Sequence, residues 1–169
     1  TTTKTIISAS QRTYPWSFMG TLWSSGPRFV ASSLFLRNLP SGYFLSTSGF
    51  GQGLSLDKYF SVFNQSVFFL ALPGDRHLDT FRLWEGLSCG SIPLLVDKDY
   101  VASKLLPHNF PLPIFSTWPE ALNYAVNLLN NPISLKQLQL STYLWWLSYQ
   151  AHVKSSIFYT LFAPSPAIH

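Results

Sequence analysis

Charged residues concentrate in one short stretch of this sequence, residues 74–93, which reads GDRHLDTFRLWEGLSCGSIP. Arg82 and Glu85 lie three residues apart there, so a helix would place both side chains on one face. A guanidinium near the free N–H groups of a helix start favours anions such as phosphates, and a carboxylate one turn further along can accept hydrogen bonds from the vicinal hydroxyls of a ribose. The pair is therefore a candidate site for a nucleoside diphosphate; the alternative is a surface salt bridge worth about 0–1 kcal/mol.

Two apolar runs bracket this stretch: VFFLAL at residues 67–72 and IPLLVD at residues 92–97. Continuous apolar runs of this length are typical of parallel strands that are covered on both faces. Ligands of parallel α/β sheets bind beyond the carboxyl ends of the strands, which places the loop after residue 72 at the ligand edge. Arg76 and His77 add positive groups to this loop, and the helix is expected to begin near Asp79 or Thr80. His77 is interpreted as a diphosphate contact, a general acid or a solvated loop histidine.

Strands and helices alternate along the rest of the chain. Strands are also predicted at residues 13–20, 43–47 and 112–116, and helices at residues 28–39, 56–65, 80–89, 100–106 and 117–130. Thr117 is the expected N-cap of the last of these helices, with Glu120 three residues later. The alternation predicts an α/β fold with a Rossmann-like, doubly wound parallel sheet over residues 1–131. Residues 132–169 are predicted to add a long helical C-terminal extension to the same domain.

Composition limits the kinds of ligand that this chain binds. Only 11% of its 169 residues are charged, against about 25% in a typical soluble domain, so a missing domain or a partner is expected to cover part of the surface. The net charge of +4 favours anionic ligands, but no Lys/Arg block of the nucleic-acid-binding kind occurs. Cys89 is the only cysteine and the four histidines lack metal-binding spacing, so neither a disulfide nor a metal site is expected. No apolar run reaches the roughly 18 residues of a membrane span.

The segment LPGDRHLDTFRLWEGLSCGSIPLLVD resembles the C-terminal signature of exostosin-like glycosyltransferases, family 47, which have the GT-B fold. Its Arg-x-x-Glu helix followed by Gly-Ser-Ile-Pro carries most of the likeness. The upstream segments YPWSFMG, RFVASSLFL and YFSVFNQSVFFLALPG resemble the elements that precede this signature, so the likeness covers about residues 12–97. One departure is Gly86, where the family usually has Ala; a glycine costs about 1 kcal/mol inside a helix and is expected here to reflect close packing.

The resemblance implies a role for several residues at a donor-nucleotide site. Glu85 would bind the ribose, and Arg82 would lie near the diphosphate or orient Glu85. Gly74 would let the backbone approach the donor, and Arg76 and Thr80 belong to the same loop and helix start. Arg28, which follows the first strand, is a further candidate for the diphosphate and a better one than Arg12; otherwise it caps a surface helix.

The resemblance further implies that this chain is the C-terminal, donor-binding half of an inverting, metal-independent GT-B enzyme. Such an enzyme transfers a sugar from a nucleotide-sugar, here expected to be a UDP-sugar, to a carbohydrate acceptor. The catalytic base is expected on a missing N-terminal acceptor domain, and no residue of this chain is assigned that role. If the source is eukaryotic, the full protein is expected to be a type II membrane protein of the Golgi or ER lumen. The alternative is a non-catalytic α/β module that binds a nucleotide or a protein partner.

Overall fold

The computed structural model describes residues 5–22, 25–49, 52–73, 81–97, 106–107 and 109–162. Five strands are present in this part of the chain: β1 (Tyr14–Thr21), β2 (Tyr43–Thr47), β3 (Ser66–Leu70), β4 (Ile92–Val96) and β5 (Ile114–Phe115). The helices are α1 (Pro27–Asn38), α2 (Leu56–Gln65), α3 (Phe81–Ser88), α4 (Trp118–Leu129) and α5 (Pro132–Phe162), preceded by a 3-10 turn at Ala9–Gln11.

The five strands form one parallel sheet with the order β2-β1-β3-β4-β5. Trp16 on β1 lies beside Phe68 on β3, which in turn lies beside Ile92 on β4. From β1 the chain first moves to β2 on one side and then returns to β3 on the other. In sheets of this order, the gap between the strands where the direction reverses is the usual position of a ligand. The predicted α/β class with a parallel, Rossmann-like sheet is confirmed.

Helices cover both faces of the sheet. Alternate strand residues, such as Phe18 and Phe68, belong to a core on the face of α1 and α4. Their neighbours Met19 and Phe69 belong to a second core, formed with α2, α3 and the first half of α5. Phe68 and Phe69 are fully buried, one on each face of the central strand. The prediction that residues 67–72 form a strand covered on both faces is therefore confirmed, although the strand itself is Ser66–Leu70.

The last strand is shorter than the sequence suggested. A strand was expected over residues 112–116, but only Ile114–Phe115 pair with β4. Pro111 and Pro113 flank the start of this segment, and neither has a backbone N–H to donate to a ladder. The expected helix at residues 100–106 lies almost entirely outside the described residues, as does the expected start of α3 at Thr80.

The cap that the sequence predicted at Thr117 is present at the start of α4. The Thr117 Oγ1 atom accepts a hydrogen bond from the Glu120 N–H at 3.4 Å, and the Glu120 carboxylate accepts one from the Ser116 N–H at 3.2 Å.

Helix α5 then begins at Pro132 and runs for 31 residues. Its first half packs on the domain, whereas Phe158 and other apolar residues near its end are more than half exposed. Of the described helices, none combines the length and the apolar character that crossing a bilayer requires.

Arg12 joins elements at the amino end of the sheet. Its guanidinium is buried and donates hydrogen bonds of 2.6–3.1 Å to four backbone carbonyls, those of Ile7, Phe63, Ser66 and Cys89. Burial lowers the pKa of Arg12 to about 10, which still leaves the side chain charged at neutral pH. Arg12 therefore has a structural role at the edge of the sheet opposite the ligand edge. This position agrees with the preference for Arg28 over Arg12 as a candidate for the diphosphate.

Gly86 provides a direct test of packing between α3 and β3. A Cβ atom at this position would lie 2.5 Å from two carbon atoms of the buried Phe69 ring. Alanine is a better helix former by about 1 kcal/mol, but overpacking of a rigid core costs about 1–3 kcal/mol. We therefore expect Gly86→Ala to lose the whole helix-propensity gain, and to change the free energy of unfolding in urea denaturation by between zero and a loss of about 2 kcal/mol.

Gly49→Ala is the matched control, because a Cβ atom at Gly49 meets nothing within 4 Å. This substitution is expected to leave the free energy of unfolding within about 0.5 kcal/mol of the original value. A Gly86→Ala protein that is more stable than the unsubstituted chain by about 1 kcal/mol, the full helix-propensity gain, would show that α3 does not pack against Phe69 in this way.

Candidate functional site

A cleft of about 410 Å³ opens at the carboxyl ends of β1 and β2. Its volume falls within the range of about 300–1,000 Å³ that is usual for small-molecule sites. Met19 and Thr21 contribute to it from the end of β1, Tyr59 from α2, and Arg82 and Glu85 from α3. The cleft thus lies at the edge of the sheet where the sequence predicted a ligand.

Arg82 lies against the end of β1. Its Nε atom donates a hydrogen bond of 3.0 Å to the Met19 carbonyl, and its guanidinium carbon is 5.3 Å from the centre of the Phe18 ring, within the range of a cation–π contact. The Nη1 atom is buried and has no hydrogen-bond partner among the residues that the structure describes. Burial lowers the pKa of Arg82, and the neighbouring Tyr59 and Glu85 oppose that shift. The cleft therefore holds an oriented cation with a donor to spare.

Gly20 makes room for this cation. A Cβ atom at Gly20 would lie 2.5 Å from Arg82 Nη2, closer than two such atoms can approach. A glycine in a strand often marks a position where another group comes close to the backbone, but the sequence does not say which group. Sequence reasoning assigned Gly20 only as the end of the first strand, so its contact with Arg82 is a finding of the structure.

Glu85 is held by a tyrosine that the sequence did not single out. The Tyr59 hydroxyl donates a hydrogen bond of 2.7 Å to Glu85 Oε2. Burial, together with the hydrogen bond to Glu85 and its negative charge, raises the pKa of Tyr59 well above its usual value near 10, and Arg82 acts in the opposite direction. Tyr59 therefore stays neutral at physiological pH and remains a hydrogen-bond donor. It precedes Glu85 by 26 residues and lies on another helix, so no local motif connects the two.

Arg28 bridges the strands between which the chain direction reverses. Its Nη1 atom donates to the Thr21 carbonyl at 2.7 Å, and its Nε atom donates to the Pro73 carbonyl at 2.9 Å. Thr21 is the last residue of β1, and Pro73 follows β3. Arg28 is buried and lines the same cleft as Arg82. The alternative was that Arg28 caps a surface helix, but its side chain is buried and bonds to carbonyls outside α1.

The structure brings three of the six predicted donor-site residues to one cleft: Glu85, Arg82 and Arg28. Gly74, Arg76 and Thr80 lie outside the described residues, and their roles stay predictions. The salt-bridge alternative placed Arg82 and Glu85 on a solvated outer face, whereas both side chains are half-buried in the cleft wall. Within the described ranges, no group of three His, Cys, Asp or Glu side chains is arranged to hold a metal ion.

The chemistry of this cleft is that of a site for an anion next to a polyol. Arg82 offers a positively charged donor, and Glu85 offers carboxylate oxygens on the same helix face one turn away. Leu45 and Leu54 line the cleft as well and supply apolar surface for a planar or hydrophobic part of a ligand.

The raised pKa of Tyr59 generates a prediction for stability at high pH. In the folded protein Tyr59 keeps its proton above pH 10, whereas an unfolded chain loses it there. The stability that this neutral form contributes is fully present below about pH 10 and is lost as the pH rises through the folded pKa. Because phenylalanine cannot ionise, the stability advantage of the unsubstituted protein over Tyr59→Phe should shrink between about pH 8 and pH 11. Urea denaturation at both pH values measures the difference in the free energy of unfolding between the two proteins. A difference that does not change with pH would contradict the environment described for Tyr59.

Scans of the chain against protein-family models, curated proteins and solved structures find no match. Its function is therefore inferred from the residues that line the cleft and from their geometry.

Proposed function

We propose that this chain is the donor-binding half of a glycosyltransferase that resembles the exostosin family and uses a nucleotide-sugar, with UDP as the nucleotide. The single observation that carries the proposal is the position of Arg82 and Glu85, side by side in a cleft at the ligand edge of a parallel sheet. This is where an open α/β sheet binds nucleotides, and the two side chains match the two polar parts that all nucleotide-sugars share.

Arg82 is the proposed partner of the diphosphate. Its Nε atom is anchored on the Met19 carbonyl, Nη1 has no described partner, and the side chain lines the cleft, where its guanidinium can bind a phosphate. Hydrogen bonds between a guanidinium and a phosphate are charge-assisted and about twice as strong as neutral ones. Arg28, on the same cleft, adds a second positive charge.

Glu85 is the proposed partner of the ribose. A carboxylate accepts hydrogen bonds at both oxygens, which suits the two hydroxyls of a ribose. Only Oε2 is engaged in a described hydrogen bond, the one from Tyr59. Leu45 and Leu54 lie along the same cleft, where they can pack against the base.

In the proposed reaction, a hydroxyl oxygen of the carbohydrate acceptor attacks the anomeric carbon of the donor from the face opposite the diphosphate. The bond from that carbon to the diphosphate oxygen breaks, and its electron pair leaves with the diphosphate. Arg82 stabilises the developing negative charge, as preorganised donors do in electrostatic catalysis. A base on the acceptor domain takes the hydroxyl proton, so this chain supplies donor binding and leaving-group stabilisation without a metal.

Glu85→Ala tests the ribose assignment. Loss of charged hydrogen bonds worth about 1.5–3 kcal/mol should weaken UDP binding roughly ten- to hundredfold in calorimetry, with the fold intact by circular dichroism. In the full-length protein the same substitution should lower sugar transfer from a UDP-sugar. Asp57→Ala is the control, because Asp57 is exposed on α2 and does not line the cleft. Unchanged UDP affinity in a folded Glu85→Ala protein would refute the assignment.

Arg82→Lys tests the diphosphate assignment. Lysine keeps the positive charge but lacks the planar fork that reaches the Met19 carbonyl and a phosphate together. We expect UDP affinity to fall about tenfold, which corresponds to about 1.4 kcal/mol. We also expect UDP binding to the unsubstituted protein to weaken as salt is added. A lysine variant with full affinity, or binding that salt does not change, would exclude Arg82 as the phosphate partner.

A further inference from the structure

The proposed ribose contact depends on where the Glu85 carboxylate points. A glutamate side chain is long and loses considerable rotamer freedom when a ligand fixes it. In this protein one described hydrogen bond, from the Tyr59 hydroxyl to Oε2, ties the carboxylate in place before any ligand arrives. A contact that orients a binding group in advance lowers the entropic cost of binding.

Tyr59 is itself held rigidly on the face of α2 that meets the sheet. Its ring meets Phe63 edge to face at 5.0 Å and 88°, and Phe60 at 5.7 Å and 82°. Phe63 is buried and packs in the same way on Phe69 of the central strand at 5.3 Å. The hydroxyl position is therefore fixed by a chain of aromatic contacts that leads into the core.

The hydrogen bond to Glu85 determines the direction of the Tyr59 hydroxyl proton. Arg82 and Glu85 are the two charged side chains that act on Tyr59. A carboxylate only accepts hydrogen bonds, so in the 2.7 Å contact with Glu85 Oε2 the phenolic proton points toward the carboxylate. A carboxylate has about four acceptor sites. With one used by Tyr59, the second lone pair of Oε2 and both of Oε1 can still accept the two hydroxyls of a vicinal diol.

We propose that Tyr59 is a positioning residue: it holds the Glu85 carboxylate so that both hydroxyls of a ribose are bound together, and thereby makes the cleft select ribonucleotides over 2′-deoxyribonucleotides. This inference rests on the proposed function of the cleft. It adds a residue and a selectivity that the predicted donor-site set, Glu85, Arg82, Arg28, Gly74, Arg76 and Thr80, does not contain.

The test compares UDP with 2′-deoxy-UDP by titration calorimetry. The unsubstituted protein should bind UDP about tenfold more tightly than 2′-deoxy-UDP, because the deoxy ligand leaves one Glu85 acceptor unpaired. Tyr59→Phe keeps the ring and its contacts with Phe60 and Phe63 but removes the hydroxyl. We expect UDP affinity to fall about five- to tenfold while that for 2′-deoxy-UDP changes by less than about twofold, so the selectivity nearly disappears.

Tyr124→Phe is the matched control, since Tyr124 is a half-buried tyrosine on α4 that packs on Phe115 and does not line the cleft. It should bind both nucleotides as the unsubstituted protein does. Should Tyr59→Phe fail to fold, 3′-deoxy-UDP tests the same arrangement in the unsubstituted protein: if both ribose hydroxyls are bound together, its affinity should fall about as far as that of 2′-deoxy-UDP. Full affinity for 3′-deoxy-UDP would overturn the proposal.

A double-mutant cycle separates positioning from a purely structural role. If Tyr59 acts through Glu85, Tyr59→Phe should have no further effect on UDP affinity in a Glu85→Ala background. An additive effect, or a Tyr59→Phe protein that keeps its full preference for UDP, overturns the positioning role while the donor site stands. If the unsubstituted protein binds neither nucleotide, the proposed function fails, and this inference fails with it.

Discussion

Burial of the central strand on both faces is the constraint on which the other features of the fold depend. Phe68 and Phe69 are successive residues of β3 that lie on opposite faces, and neither has any exposed surface. Two large apolar side chains of this kind can be removed from water only if helices cover the sheet on both sides. With parallel neighbours on either side of β3, each connection must cross a face, and the chain must use both faces in turn.

The candidate site is a consequence of that arrangement. The chain leaves β1 through α1 on one face and reaches β3 through α2 on the other, so the ends of β1 and β3 lie where the direction reverses. Arg28 bridges these two ends. Because α2 and α3 cover the same face, Tyr59 and Glu85 come within hydrogen-bond distance. Because α3 packs closely on the sheet, two of its contacts involve a glycine. Gly86 of α3 fits against the Phe69 ring, and Gly20 of β1 leaves room for the Arg82 guanidinium.

The long last helix has two parts with different surroundings. Residues such as Leu135, Tyr143 and Trp146 are buried against the domain, and Trp146 stacks on Trp84 of α3 with ring centres 5.6 Å apart. Trp84 thus packs α3, the helix that carries Arg82 and Glu85, against α5. The tryptophan- and tyrosine-rich part of the tail serves core packing at these positions.

Local patterns were sufficient to predict most elements of this fold, because strand and helix formation depend on neighbours in the sequence. The apolar run at residues 67–72 predicted a strand covered on both faces, the Thr117 and Glu120 pair predicted a helix start, and the glycine in place of alanine at position 86 predicted a close contact. The alternation of elements predicted a parallel sheet, and with it the position of Arg82 and Glu85 at the ligand edge.

Tertiary structure alone decided which distant residues meet. Three of the carbonyls bound by Arg12 lie 51 or more residues away from it, and Tyr59 lies 26 residues before Glu85. The strand order likewise joins distant segments of the chain. No spacing rule in the sequence predicts such contacts. The apolar character of residues 112–116 predicted a strand that is longer than the one observed at Ile114–Phe115. Its length depends on which residues pair with β4 and not on apolar character alone. The sequence by itself thus determined the elements and the kinds of side chain at the ligand edge. The fold decided their partners, because contacts between remote residues depend on how both faces of the sheet are packed.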